Sequence, residues 1–142
     1  MTIMHKIFLM LALAIVSSNV AAEWTSVGKN NSFTGYVDFI SIEKNGNRVR
    51  IWSMNDYKVP GFLTGREKYL STKTQVEYDC KAETKRTLSF VIYSEHMGNG
   101  ERVSMGHSRP ANDDSGSGRY KLNSPGSIDK ILWDLACGQG QY

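Results

Sequence analysis

An α+β domain is the fold class this sequence predicts: an antiparallel β-sheet of about five to six strands, with one C-terminal amphipathic helix packed on it. Three observations predict it. From Trp24 to Met105 the chain is rich in β-branched and aromatic residues, broken by Asn, Gly and Pro turns. From Ile128 onward the apolar residues recur with a helical period instead of alternating. Two cysteines, Cys80 and Cys137, stand at the end of a strand pattern and at the end of that helix. A bond between them pins the helix to the sheet.

The first segment is an export signal. Lys6 supplies a positive charge, Ile7 to Val16 is an unbroken apolar run, and Val20-Ala21-Ala22 supplies a small-residue cleavage site. The run is shorter than the roughly 20 residues that span a bilayer. Residues 1–22 are therefore expected to be removed, leaving a single domain over 23–142. Outside the cytosol its only two cysteines are expected to form one structural disulfide rather than a metal site.

The first well-defined strand is Gly35 to Ile42. Lys44-Asn45-Gly46-Asn47 follows, and Asn-Gly suits a type I′ turn. Arg48 to Met54 then alternates. Val49, Ile51 and Ser53 share one face; Arg48, Arg50, Trp52 and Met54 share the other. Pro60-Gly61 is expected to break the chain, with a polar loop over 60–68. From Tyr69 the apolar set is Leu70, Thr72, Thr74, Val76, Tyr78 and Cys80, which directs Cys80 to the core. Arg86 to Ser94 forms the next strand, and Met97-Gly98-Asn99-Gly100 turns into a last one reaching about Met105. His107 to Asn123 has little apolar content and reads as a surface loop. Ser124 and Pro125 suit a helix start, and Ile128, Ile131, Leu132 and Leu135 lie on one helical face. Gly138 suits its stop. The pattern leaves open which sheet face the helix covers.

Charge excludes one class of partner. The chain has 17 basic and 14 acidic residues. Loss of Lys6 leaves the mature domain at +2, which is not the footprint of a nucleic-acid binder. No second apolar run is long enough to cross a membrane, and no cysteine directly follows the signal's apolar run to carry a lipid anchor at the mature N-terminus. The expected location is periplasmic, at the cell surface or secreted.

Chemistry-bearing patterns are sparse. His96 and His107 are the histidines of the mature chain, with no H-x-H or H-E-x-x-H spacing. His96 with Met97, near Tyr93, resembles an axial haem ligand set only in residue type. No G-x-S-x-G elbow and no phosphate-cradling loop is present. The residues therefore imply no catalytic group, cofactor or metal. Arg48, Arg50, Trp52, Tyr57 and Lys58 are the candidate binding residues, because Arg, Trp and Tyr carry most of the energy at protein interfaces. The leading reading is an exported, non-enzymatic binding module. The alternative is a periplasmic small-ligand protein of haem-binding type, and an exported hydrolase comes third.

The order of several short pieces resembles the surface-adhesin protein E family of Gram-negative bacteria. These are Tyr36-Val37-Asp38 with Ser41-Ile42, Val49 to Lys58, Glu77-Tyr78-Asp79-Cys80, Tyr93-Ser94 with Met97 to Gly100, and Pro125-Gly126-Ser127 leading to Leu132-Trp133 and Ala136-Cys137. The resemblance implies a sheet backed by a C-terminal helix, bonded cysteines and no catalytic residue. It also implies a protein partner in the host matrix, in serum or in the envelope, with laminin, vitronectin and plasminogen as examples. Haem binding and homodimer formation are further properties it implies. The chain departs from the family in lacking the anchor cysteine, and in placing Tyr120 at an aromatic position that is often tryptophan.

Overall fold

A computed structural model describes residues 22–107, 120–121 and 125–138. Residues 1–21 of the predicted signal, the 108–119 stretch and Ser124 lie outside the described residues. Six strands form an antiparallel meander: β1 (Trp24–Lys29), β2 (Phe33–Asn45), β3 (Arg48–Phe62), β4 (Lys68–Asp79), β5 (Thr84–Tyr93) and β6 (Arg102–His107). A two-residue β7 (Tyr120–Lys121) pairs with the start of β5. One helix, α1 (Ile128–Cys137), follows, and a 3-10 turn at His96–Gly98 joins β5 to β6.

The β2–β3 hairpin forms with a shifted turn. Asn45 pairs with Arg48, so the two loop residues are Gly46 and Asn47 rather than Asn45 and Gly46. Gly46 has φ +59° and Asn47 is not left-handed. This is the φ pattern of a type II′ turn, which takes glycine first. Pro60-Gly61 does not end β3. The strand runs to Phe62, and its pairing with β4 skips from Asp56 to Gly61. Proline has no N–H to donate, and the irregular stretch needs none there. The expected loop over 60–68 therefore shrinks to the few residues between Phe62 and Lys68.

A second irregularity interrupts the β2–β3 register between Asp38 and Glu43. The Asp38 carboxylate accepts the Ile40 N–H at 3.0 Å, and the Ser41 hydroxyl donates to the Asp38 carbonyl at 2.6 Å. The same hydroxyl oxygen accepts the Trp52 N–H at 2.8 Å, replacing a ladder carbonyl. Side chains thus satisfy backbone groups that the bulge would orphan.

The core lies on one side of the sheet. Val37, Val49, Ile51, Val76 and Tyr78 face Leu132 and Ala136 of α1. Ile51 and Val37 are fully buried, each worth about 1.5–3 kcal/mol. So the helix covers the Val49–Ile51–Ser53 face. Paired Gly28 and Gly35 make room for it: a Cβ on Gly35 would stand 2.7 Å from the Ile128 side chain. The helix begins at Ile128 and not at Pro125. Gly126 has φ +83°, a conformation a helix cannot contain, and Ser127 is the cap, accepting the Lys130 N–H at 3.2 Å. Gly138 stays right-handed at φ −72°, and its N–H reaches the Asp134 carbonyl. Cys80 and Cys137 are bonded, with Cα atoms 5.5 Å apart. This ties the end of α1 to the residue just after β4.

Candidate binding face

The opposite side of the sheet carries the even-numbered residues of β3. Register places Glu43, Arg50, Glu77 and Arg86 in one cross-strand row of alternating charge. Arg50 Nε lies 3.0 Å from Glu77 Oε2, and Arg86 Nη2 lies 2.8 Å from Glu77 Oε1. The Glu77 side chain is 1% exposed, Arg86 12% and Arg50 49%. A buried carboxylate thus anchors two guanidinium groups, one sunk in the sheet and one held half out of it. Charge-assisted contacts of this length are the strong class. Arg48, Arg50 and Lys44 line a polar cavity of about 320 Å³ with Glu43 and Glu77. Trp52 follows on the same face, between Asp38 and Gln75 in register, and is partly exposed.

The far end of this face is closed. Met54 is 1% exposed although it falls in the more polar set. Lys73 Nζ lies 5.0 Å from the Tyr93 ring and 5.4 Å from the Trp24 ring, within cation–π range. Trp24 belongs to β1 and Lys73 to β4, so the contact reaches over β2 and β3 where Met54 sits. The turn after β5 closes the rest. The fully buried Ser71 hydroxyl donates to the Glu95 carbonyl at 2.6 Å and accepts the Gly98 N–H at 2.8 Å. Asp56 accepts the Met97 N–H at 2.9 Å and contacts His96 Nδ1 at 3.0 Å. Met97 is left-handed at φ 58°, held there by these bonds.

Of the five candidate residues, the structure brings Arg48, Arg50 and Trp52 together. Tyr57 and Lys58 are elsewhere. Seven residues of strand separate Arg50 from Tyr57, about 23 Å at the usual rise. Tyr57 points to the helix side, with its ring 5.9 Å from Phe33 and 5.5 Å from Tyr69, and its hydroxyl 3.5 Å from Thr72 Oγ1. Lys58 Nζ is bonded to the Asn30 carbonyl. Sequence reasoning missed Glu77 and Arg86. Both were visible as charged residues in strand patterns, but only register sets them beside Arg50. His96 is engaged by Asp56, and His107 ends β6; neither lines the polar cavity beside Arg50. Among the described residues, no group of three or more His, Cys, Asp or Glu side chains could hold a metal ion.

Among the described residues, a meandering antiparallel sheet, a helix pinned to it by a disulfide and an open charged face define an α+β domain. The chain belongs to the surface-adhesin protein E family, whose model matches residues 24–138. The chain is similar in fold to solved structures of Haemophilus influenzae protein E. Crystal form II is 13% identical with a TM-score of 0.58, covering 86% of this chain and 92% of that one. A second structure of that protein has 13% identity and a TM-score of 0.55, covering 86% and 89%. Protein E from a non-typeable strain gives 13% and 0.52, covering 85% and 79%. No curated protein sequence matches the chain.

Proposed function

We propose that the mature domain, residues 23–142, is an exported, non-enzymatic binding module that docks a host matrix or serum protein on the open end of its sheet face. Arg50 is the central contact, with Trp52 and Arg48 beside it. The observation that supports this reading is the half-exposed Arg50 guanidinium, held by buried Glu77 next to a partly exposed tryptophan. Such an arginine is pre-oriented, so less side-chain freedom is lost when an acidic partner group binds. Family membership supports the adhesin role.

The test is binding of the mature protein to immobilised laminin, vitronectin and plasminogen. Arg50→Ala and Trp52→Ala are each expected to weaken the bound member of that panel by about 2 kcal/mol, roughly thirty-fold. The contribution of Arg50 is expected to shrink as salt rises. Folded variants that bind as well as the parent would rule this face out.

A further inference from the structure

On the helix side of the sheet, away from the docking face, a cavity of about 260 Å³ opens between the first turn of α1 and strands β3, β4 and β5. Val76, Ile128 and Leu132 give it apolar walls, and Ser53, Thr74 and Tyr78 give it polar ones. Tyr78 is fully buried, yet its hydroxyl has no hydrogen-bond partner among the described residues. Buried polar groups are almost always paired, so an orphan hydroxyl beside a cavity marks a place where something else supplies the acceptor. The hydroxyl also stays protonated and so has a hydrogen to donate. Burial pushes it well above the ordinary tyrosine range, and the nearby Asp129 charge adds to the rise.

The neighbouring groups restrict what fits. Lys85 and Asp129, which also line the cavity, are already paired with each other at 2.6 Å. An anion entering there would meet the Asp129 charge and would have to displace it from Lys85. The Ser53 hydroxyl is only loosely committed, at 3.4 Å from the Thr74 carbonyl. Size sets the other limit. A dry cavity of about 150 Å³ holds a benzene, so the space here takes one ring and a substituent. Water alone would satisfy Tyr78 but would leave Val76, Ile128 and Leu132 facing it.

We propose that this cavity is a binding site for a small neutral molecule, one ring bearing a carbonyl group, whose oxygen accepts the hydrogen bond of the Tyr78 hydroxyl. The ring packs on Val76, Ile128 and Leu132.

Acetophenone is the probe, with toluene as the ring without an acceptor. Both are titrated into the mature protein to about millimolar concentration and followed through backbone amide NMR shifts. Saturable shifts at Ser53, Thr74, Tyr78 and Leu132 are expected. Tyr78→Phe is expected to weaken acetophenone about ten-fold and leave toluene unchanged, because only the hydrogen bond is lost. Absence of saturable shifts, shifts clustered elsewhere, or equal acetophenone affinity in Tyr78→Phe would overturn the proposal. A crystal soaked in acetophenone decides the matter if that variant does not fold. A ring in the cavity with its oxygen on the Tyr78 hydroxyl supports the site, and a water there without a ring overturns it.

Discussion

Replacing Cys137 with serine is expected to destabilise the domain by about 4 kcal/mol, with Cys80→Ser costing the same. The bond joins residues 57 apart in sequence. Closing a loop of that length removes conformational freedom from the unfolded chain worth about 4 kcal/mol, an upper figure because strain in the folded state subtracts from it. The effect is large because a domain of this size is held by only about 5–15 kcal/mol in total. It should also be local in character. Cys137 is the last residue of α1, and α1 supplies Leu132 and Ala136 to the core. Freed from the end of β4, the helix keeps its apolar stripe, its Ser127 cap and the Lys85–Asp129 ion pair to β5. Urea unfolding of the parent and both variants measures the loss. A cost below about 1 kcal/mol would mean that packing alone secures the helix.

Glu77→Ala is the second large effect, at about 3 kcal/mol. Glu77 is 1% exposed and bonded to Arg50 and Arg86. Removing one partner of a buried ion pair costs about 3–5 kcal/mol, because the remaining charge is left desolvated. The lower end applies, since Arg50 is half exposed and can turn to water while Arg86, at 12%, cannot. Arg50→Ala is expected to cost under about 1 kcal/mol, because Glu77 keeps Arg86 and the lost contact is partly solvated. That asymmetry separates a buried anchor from a surface contact. Equal costs for the two variants would contradict the arrangement. It also lets Arg50→Ala report on binding without a change in fold.

Much of the sheet was legible because one side is buried. Alternation in Arg48–Met54 and Tyr69–Cys80 sorts the side chains correctly, since a period of two must match a face that excludes water. The helix was legible from Ile128, Ile131, Leu132 and Leu135. Its start was not, because Ser124 and Ser127 are both capping residues and only the left-handed Gly126 chooses between them. Met54 was misleading for a related reason. Its neighbours in sequence are polar, and it is buried at the register position of Lys73, which bridges to Trp24 and Tyr93 on two further strands. The candidate site was legible in part. Local density of Arg and Trp pointed to Arg48, Arg50 and Trp52. It also drew in Tyr57 and Lys58, which the length of β3 carries away. Glu77 and Arg86 could not be joined to Arg50 without the register of three strands.

The proposed function turns on the Arg50 end of the sheet face meeting the partner. Site-directed photocrosslinking on intact cells tests it most directly. One variant carries a benzophenone side chain at position 43, the exposed cross-strand neighbour of Arg50, and the other carries it at position 134, an exposed residue of α1 whose side chain is 56% accessible. Both are exposed to laminin, vitronectin and plasminogen and then irradiated. The proposed contact gives adducts with an extracellular protein from position 43 and none from position 134. Adducts from position 134 alone, with the parent still binding, would contradict it.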